Sequence, residues 1–216
     1  MPRTRIKFCG ITRPADAAAA AEIGADAIGI VLYSNSTRRV ERDLARQIIG
    51  VLPPFVTPVG LFVDAPVELV TELSSELGLR TVQLQGHEPA AYVEKLRGLA
   101  VIKAIRIGQD KPATYSGVGN LRGLLLETPN TGQPGGTGIE NDWNAIRAAQ
   151  DAGEFANLPP LIAAGGLRPD SVGGVVKLLR PWAVDVASGI ESSRGVKSRD
   201  KMQAFVDAVR AAETSS

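Results

Sequence analysis

At 216 residues, 44% hydrophobic and 22% charged, the chain has the length and composition of one folded domain with a sizeable core. Its 24 basic and 23 acidic side chains leave a formal charge of +1 without a long basic run, which removes nucleic acid as an expected partner. One cysteine excludes an internal disulfide and a thiolate metal cluster. No run of about 18 apolar residues is present to span a membrane, and MPRTRIKFCG lacks a signal-peptide core, so the cytoplasm is the expected location.

In chain order, the first predicted strand covers residues 5–11 and runs into a GIT turn, without the G-x-G-x-x-G of a dinucleotide fold. ADAAAAAEIGA follows Pro14, a residue at home in a first helical turn because its missing N–H has no partner there. The next strands are residues 27–32 and 58–63. APVELVTELSSELG then spaces Val67, Val70, Leu73 and Leu77 at helical intervals. Strands over 81–86 and 101–107 come next. QDKPATYSGVGN has a proline, two glycines and little apolar period, which predicts a short or irregular helix after strand five. Residues 123–128 form the sixth strand. DWNAIRAAQDAG is a helix with Asp142 as its N-cap and Trp143 as a packing residue. Residues 160–166 and 183–190 are the last strands, each followed by a helical segment, PDSVGGVVKLLR and SRDKMQAFVDAVRAAE.

Eight strand–helix units with a period of about 25 residues imply right-handed crossovers and a parallel sheet. An open doubly wound sheet and a closed barrel both satisfy that rule. Eight units in so short a chain, with no interruption, favour a single-domain (β/α)₈ TIM barrel over residues 1–216. Closure then fixes where chemistry belongs, because strand C-terminal ends share one mouth. Cys9, Arg38, Asp64, Gln83, Gln85, His87, Arg106, Glu127 and Asp185 all fall there, with glycine-rich loops near 135, 165 and 189.

Glycine turns at Gly165–Gly166 and Ser188–Gly189 end strands seven and eight, where barrels commonly bind phosphate through backbone amides. Their plainer role is to make tight turns. A lone cysteine in an apolar strand is more often a small buried hydrophobe than a catalyst. Cys9 gains interest from its place at the mouth, where a thiolate can take a proton. Glu127, across the ring, would supply the complementary acid, or be a solvated strand-end carboxylate. Arg38 and Arg39 offer forked donors for a carboxylate, or are surface arginines. GQPGGTG, residues 132–138, has the composition of a loop that folds over the mouth. Asp64 either orients a ligand or caps the next helix. One histidine, His87, cannot build a multi-histidine metal site, and no metal or redox cofactor is expected.

From about residue 4 to residue 210 the chain resembles the phosphoribosylanthranilate isomerase family of tryptophan biosynthesis. The resemblance is carried by KFCGIT (7–12), GADAIGIVLYSNSTR (24–38), VGLFV (59–63), TVQLQG (81–86), PGGTGIENDW (134–143), LIAAGGLRPDSV (161–172) and AVDVASGIESSRGVK (183–197). It implies an Amadori rearrangement of N-(5′-phosphoribosyl)anthranilate to 1-(2-carboxyphenylamino)-1-deoxyribulose 5-phosphate. It also implies Cys9 as general base and a strand-six general acid at Glu127. Arg38 would hold the anthranilate carboxylate, with Lys7, Gln83 and Gly136 also touching substrate. Gly165, Gly166, Ser188 and Gly189 would cradle the phosphate. The partner is thus a small phosphorylated substrate, and the chain is expected as a monomer or weak homodimer.

Two positions depart from the family pattern. The usual LLLD is LLLE, so Glu127 carries one extra methylene; the usual QLHG is QLQG, with Gln85 in place of histidine. For the scheme to work, the acid's pKa must rise from about 4 and the thiol's must fall from about 8.5. The alternatives are a barrel acting on a related phosphorylated amino sugar, and a non-catalytic phosphometabolite-binding barrel.

Overall fold

The structure, a computed structural model, describes residues 3–127 and 141–214. Eight parallel strands close into a barrel in sequence order. They are β1 (Arg5–Phe8), β2 (Ala27–Tyr33), β3 (Thr57–Phe62), β4 (Thr81–Leu84), β5 (Ala100–Arg106), β6 (Leu121–Glu127), β7 (Leu161–Ala163) and β8 (Ala183–Val186). Closure is the β1–β8 pairing, which sets Lys7 opposite Asp185 and Phe8 opposite Val186. The helices are α1 (Pro14–Ile23), α2 (Arg42–Gly50), α3 (Val67–Glu76), α4 (Ala90–Lys95), α5 (Trp143–Asp151), α6 (Val172–Leu179) and α7 (Arg199–Thr214). Among the described residues, no helix is long and apolar enough to cross a membrane.

Local chemistry starts and stops these elements as expected. Pro14 opens α1, and Gly24 closes it in the left-handed region at φ 103°, its N–H bonding back to Ala20 and Ala21. Asp142 caps α5 by accepting from the Ala145 N–H at 3.0 Å. After β5 there is only a 3₁₀ turn, Pro112–Tyr115. Several strands end earlier than their hydrophobic runs. Ile11 and Leu167 lie beyond the ladders yet remain buried, so apolar sequence continues into loops that fold over the strand ends. The eighth strand, expected over residues 183–190, stops at Val186. A 3₁₀ turn at Ser188–Ile190 takes its place, followed by a small antiparallel hairpin, β9 (Glu191–Ser193) and β10 (Val196–Lys197).

Alternation along each strand separates two environments. Ile6, Phe8, Val82, Leu84, Leu124, Leu126, Val184 and Val186 face outward and pack with the helices into the main core. The inward positions form two smaller apolar groups. One contains Ala104, Leu125, Ile162, Ala164 and Ala183; the other gathers Cys9, Val31 and Leu61. Polar side chains on this inner face include Lys7 of β1, Gln83 of β4, Glu127 of β6 and Asp185 of β8. Edge-to-face packing of Phe8 on Phe205, with ring centroids 6.1 Å apart, ties the last helix to the first strand. Both rings are fully buried. Phe205→Ala is expected to cost about 3–5 kcal/mol of folding stability, measurable as a lowered denaturant midpoint with an unchanged slope.

Candidate active site

A cavity at the mouth is lined by Cys9, Arg38, Gln83, Gln85, Glu127 and Asp185, together with apolar side chains of β2 and β3. Cys9 follows β1 and is pinned to β8 by its N–H, 2.8 Å from the Val186 carbonyl. β6 lies three strands away round the ring, so Glu127 meets the same space from the other side. The sequence placed thiol and carboxyl at one mouth, and the structure brings them together.

Beneath the thiol, the Lys7 ammonium is 2.7 Å from Asp185, both side chains buried. Room for this arrangement comes from Gly29 on β2. A Cβ there would stand 2.7 Å from the Cys9 sulfur and 3.1 Å from the Lys7 nitrogen. Lys7 does not line the cavity. Expected to touch substrate, it is buried behind Cys9, with its charge directed to the thiol and to Asp185. Burial works against its charged form, but Asp185 and Cys9 prevail and its pKa is raised.

The thiol does not behave as the scheme required. Burial pushes the Cys9 pKa up, with Asp185 adding to the rise, and this outweighs the lowering by Lys7 and Lys197. Glu127 follows expectation. Burial first, then the Asp185 charge, push its carboxyl up to about 7, while a hydrogen bond from the Gln85 side chain and the charges of Arg106 and Lys103 pull downward.

Arg38 is at the mouth but already occupied. Its Nε and Nη2 fork onto Glu191 at 2.7 and 2.8 Å, leaving Nη1 outside the fork. Lys197 approaches the same carboxylate at 3.0 Å and donates to the Ala187 carbonyl at 2.8 Å. The Arg38 stem lies across Gly10, where a Cβ would stand 2.6 Å from the Arg38 Cδ. Arg39 is the surface arginine, paired with exposed Glu41. Asp64 neither caps α3, whose N-cap is Pro66, nor enters the cavity lining; it accepts from the His87 N–H at 2.6 Å and braces the loop after β4. His87 is exposed and held by the same carboxylate.

Gly165 and Gly166 adopt φ of 94° and 71°, so the β7 turn requires glycine. Gly189 packs on the Leu167 backbone, where a side chain would strike the carbonyl. The two predicted phosphate turns are therefore in contact. Gly136 and the 132–138 loop lie outside the described residues.

Sequence reasoning placed Asp185 at the mouth without a role, and it missed Glu191 and Lys197. A signal existed for Asp185, a lone charge inside the apolar strand AVDV. Glu191 carried none, because ESSRGVK reads as an ordinary polar turn. A second buried pair, Lys103 and Glu88 at 3.1 Å, also escaped notice. Lys103 donates to the Gly86 carbonyl at 2.8 Å, and Glu88 accepts from the Asp64 N–H at 2.8 Å, so the pair fastens the loops after β3 and β4.

Comparison with known proteins gives a consistent result. The family model for N-(5′-phosphoribosyl)anthranilate (PRA) isomerase matches residues 6–208. The chain is 46% identical to the N-(5′-phosphoribosyl)anthranilate isomerase of Pseudomonas aeruginosa (strain UCBPP-PA14), over 97% of both chains. The crystal structure of phosphoribosyl anthranilate isomerase from Thermus thermophilus superposes with a TM-score of 0.83 at 36% identity, covering 96% of this chain and 99% of that one. A further phosphoribosyl anthranilate isomerase structure was solved with reduced 1-(o-carboxyphenylamino)-1-deoxyribulose 5-phosphate. It gives a TM-score of 0.80 at 33% identity over 96% and 99% of the two chains. With the barrel, the cavity and these relatives in agreement, the chain belongs to the N-(5′-phosphoribosyl)anthranilate isomerase family.

Proposed function

We propose that this cavity performs the family's Amadori rearrangement, converting N-(5′-phosphoribosyl)anthranilate to 1-(2-carboxyphenylamino)-1-deoxyribulose 5-phosphate, with Glu127 as acid and Cys9 as base. The observation that carries the assignment is a thiol and a carboxylic acid of pKa about 7 facing one cavity from opposite arcs of the ring. Glu127 donates its proton to the furanose oxygen, and the ring opens to an iminium. The positive nitrogen acidifies the neighbouring C2′–H. The Cys9 thiolate removes that proton, leaving an enolamine that tautomerises to the ketone. One proton enters at oxygen and one leaves carbon, so no electron acceptor is needed.

The surrounding charges support these roles. Lys7 stabilises the thiolate from behind without contacting the substrate. Arg38 and Lys197 against Glu191 leave one net positive charge at the cavity edge, and the Arg38 N–H groups outside the fork, on Nη1 and the second on Nη2, are the donors proposed for the anthranilate carboxylate. Gln83 has a buried Oε1 with no partner, which fits an acceptor for a substrate hydroxyl. The glycine turns at Gly165–Gly166 and Ser188–Gly189 are the proposed phosphate cradle.

The working form pairs an un-ionised Glu127 with an ionised Cys9, although the carboxyl is the stronger acid. That form holds one proton between the two groups. Its population therefore rises until the first ionisation, near pH 7, stays level, and falls after the second. Purified protein is expected to turn over freshly prepared substrate with this plateau in kcat/KM. Cys9→Ala and Glu127→Gln are each expected to lose about 10²–10⁴ in kcat. Turnover of wild type no greater than that of Cys9→Ala would remove the assignment.

Stability should report the same carboxyl independently. The folded pKa of about 7 exceeds the unfolded value of about 4.3, so the folded chain keeps a proton the unfolded chain releases. That contribution is complete below about pH 4.3 and is lost as pH rises through about 7. Between pH 4 and 8, wild type is expected to lose about 3–4 kcal/mol relative to Glu127→Gln, read from denaturation midpoints at each pH. Parallel pH profiles for the two proteins would contradict the raised pKa.

A further inference from the structure

Glu191 and Lys197 have no part in the proton transfers, yet both side chains are buried beside Arg38 at the mouth. Glu191 takes the Nε–H and one Nη2–H of the guanidinium, at 2.7 and 2.8 Å. The edge these bonds leave open, between Nη1 and Nη2, has no acceptor among the described residues. Such an edge matches a second carboxylate in width. One guanidinium between two carboxylates leaves a surplus negative charge unless a further cation stands near. Lys197 is that cation, its Nζ 3.0 Å from Glu191 Oε1, the oxygen that also receives Arg38 Nε.

The carboxylate is itself fixed. Its hairpin is fastened at three points: the Lys197 N–H donates to buried Asp16 of α1 at 3.1 Å, the Thr12 hydroxyl to the Gly195 carbonyl at 2.5 Å, and Lys201 of α7 to the Glu191 carbonyl at 2.7 Å. Burial works against the Glu191 charge, but Arg38 and Lys197 prevail and hold its pKa below the usual carboxylate value. We propose that Glu191 is a positioning residue that presents the free edge of Arg38 to the ortho carboxylate of the substrate, and that Lys197 supplies the charge that lets one guanidinium serve two carboxylates. The inference rests on Arg38 being the group that holds the substrate carboxylate. An unrestrained arginine has many rotamers, and a ligand that must order it loses affinity. The fork meets that cost before binding, and a fixed planar edge accepts a carboxylate in one orientation. Direction and attraction then come from different residues, Glu191 and Lys197, so they can be separated.

The test is calorimetric binding of three ligands to the full chain: reduced 1-(o-carboxyphenylamino)-1-deoxyribulose 5-phosphate, its para-carboxy isomer, and the phenylamino compound without a carboxylate. Wild type is expected to prefer the ortho ligand to both others, and Arg38→Met to lose that preference. No preference in wild type, or one kept by Arg38→Met, would refute Arg38 as the holder. Glu191→Gln has a single acceptor oxygen and cannot form the fork. Although it adds a net positive charge, it is expected to weaken the ortho ligand about tenfold while the para ligand binds no more weakly. In turnover the loss should fall mainly on KM. Lys197→Met is expected to weaken both carboxylate ligands about fivefold against the uncharged one and to keep the ortho-to-para ratio. Glu191→Asp, whose charge sits on a shorter reach, is a second variant should Glu191→Gln fail to fold, expected to lower that ratio about threefold. With Arg38 upheld, an unchanged ratio in the Glu191 variants, or tighter binding of both carboxylates by Glu191→Gln, would overturn the role of Glu191. A wild-type preference for carboxylate in Lys197→Met would overturn that of Lys197.

Discussion

The ion pair between Lys7 and Asp185 is the interaction on which the site is built. An ammonium inside a barrel wall is tolerable only beside a carboxylate, and removal of either partner of such a buried pair typically costs about 3–5 kcal/mol. The closing register of β1 on β8 puts the two residues opposite one another. Asp185 then acts in two directions. It keeps Lys7 charged under the thiol, and it repels a second negative charge on Glu127 across the cavity. One carboxylate thus keeps Lys7 charged beneath the thiol and, with burial, keeps Glu127 protonated, while its own charge opposes the thiolate.

Around that pair the protein accepts arrangements that a purely structural core would avoid. A thiol is buried where its ionisation is disfavoured, and a carboxyl is desolvated beside another carboxylate. Glutamine oxygen is left without a partner in the wall. Each is a local violation of good packing chemistry, and all three line one cavity. Such concentration is what distinguishes a reactive pocket from a gap between loops. The apolar groups on the inner face, Leu125 with Ile162 and Val31 with Leu61, supply the rigid surround that holds these groups in place.

Much of this was readable from sequence because it follows from period and place. Eight apolar runs separated by helical segments specify closure, and closure assigns Cys9, Gln83, Gln85 and Glu127 to one end by parity and position alone. Pro14, Gly24 and Asp142 mark helix ends through backbone chemistry that needs no tertiary context. What could not be read depends on groups distant in the chain. The direction of the Cys9 shift is a contest between burial and three charges, two of them from residues 185 and 197. The occupation of Arg38 by Glu191 joins positions 153 apart, in a hairpin whose sequence looks like a polar turn. The boundary between strand and loop failed for a related reason. Residues such as Ile11 and Leu167 are apolar because the mouth loops are buried too, so hydrophobicity alone cannot say where the ladder stops.

The fork of Arg38 on Glu191 has a consequence for how the chain comes together. One group belongs to the second of eight units and the other to the last, and both are buried in the finished barrel. During synthesis the guanidinium emerges long before its carboxylate. A growing chain that has made only its early units has no counter-ion to seal that arginine away from water, and the loop carrying it gains its native seat only when the final hairpin arrives. Half a barrel of this sequence is chemically unfinished even where its strands are paired. Completion of the ring and completion of the charge are the same event.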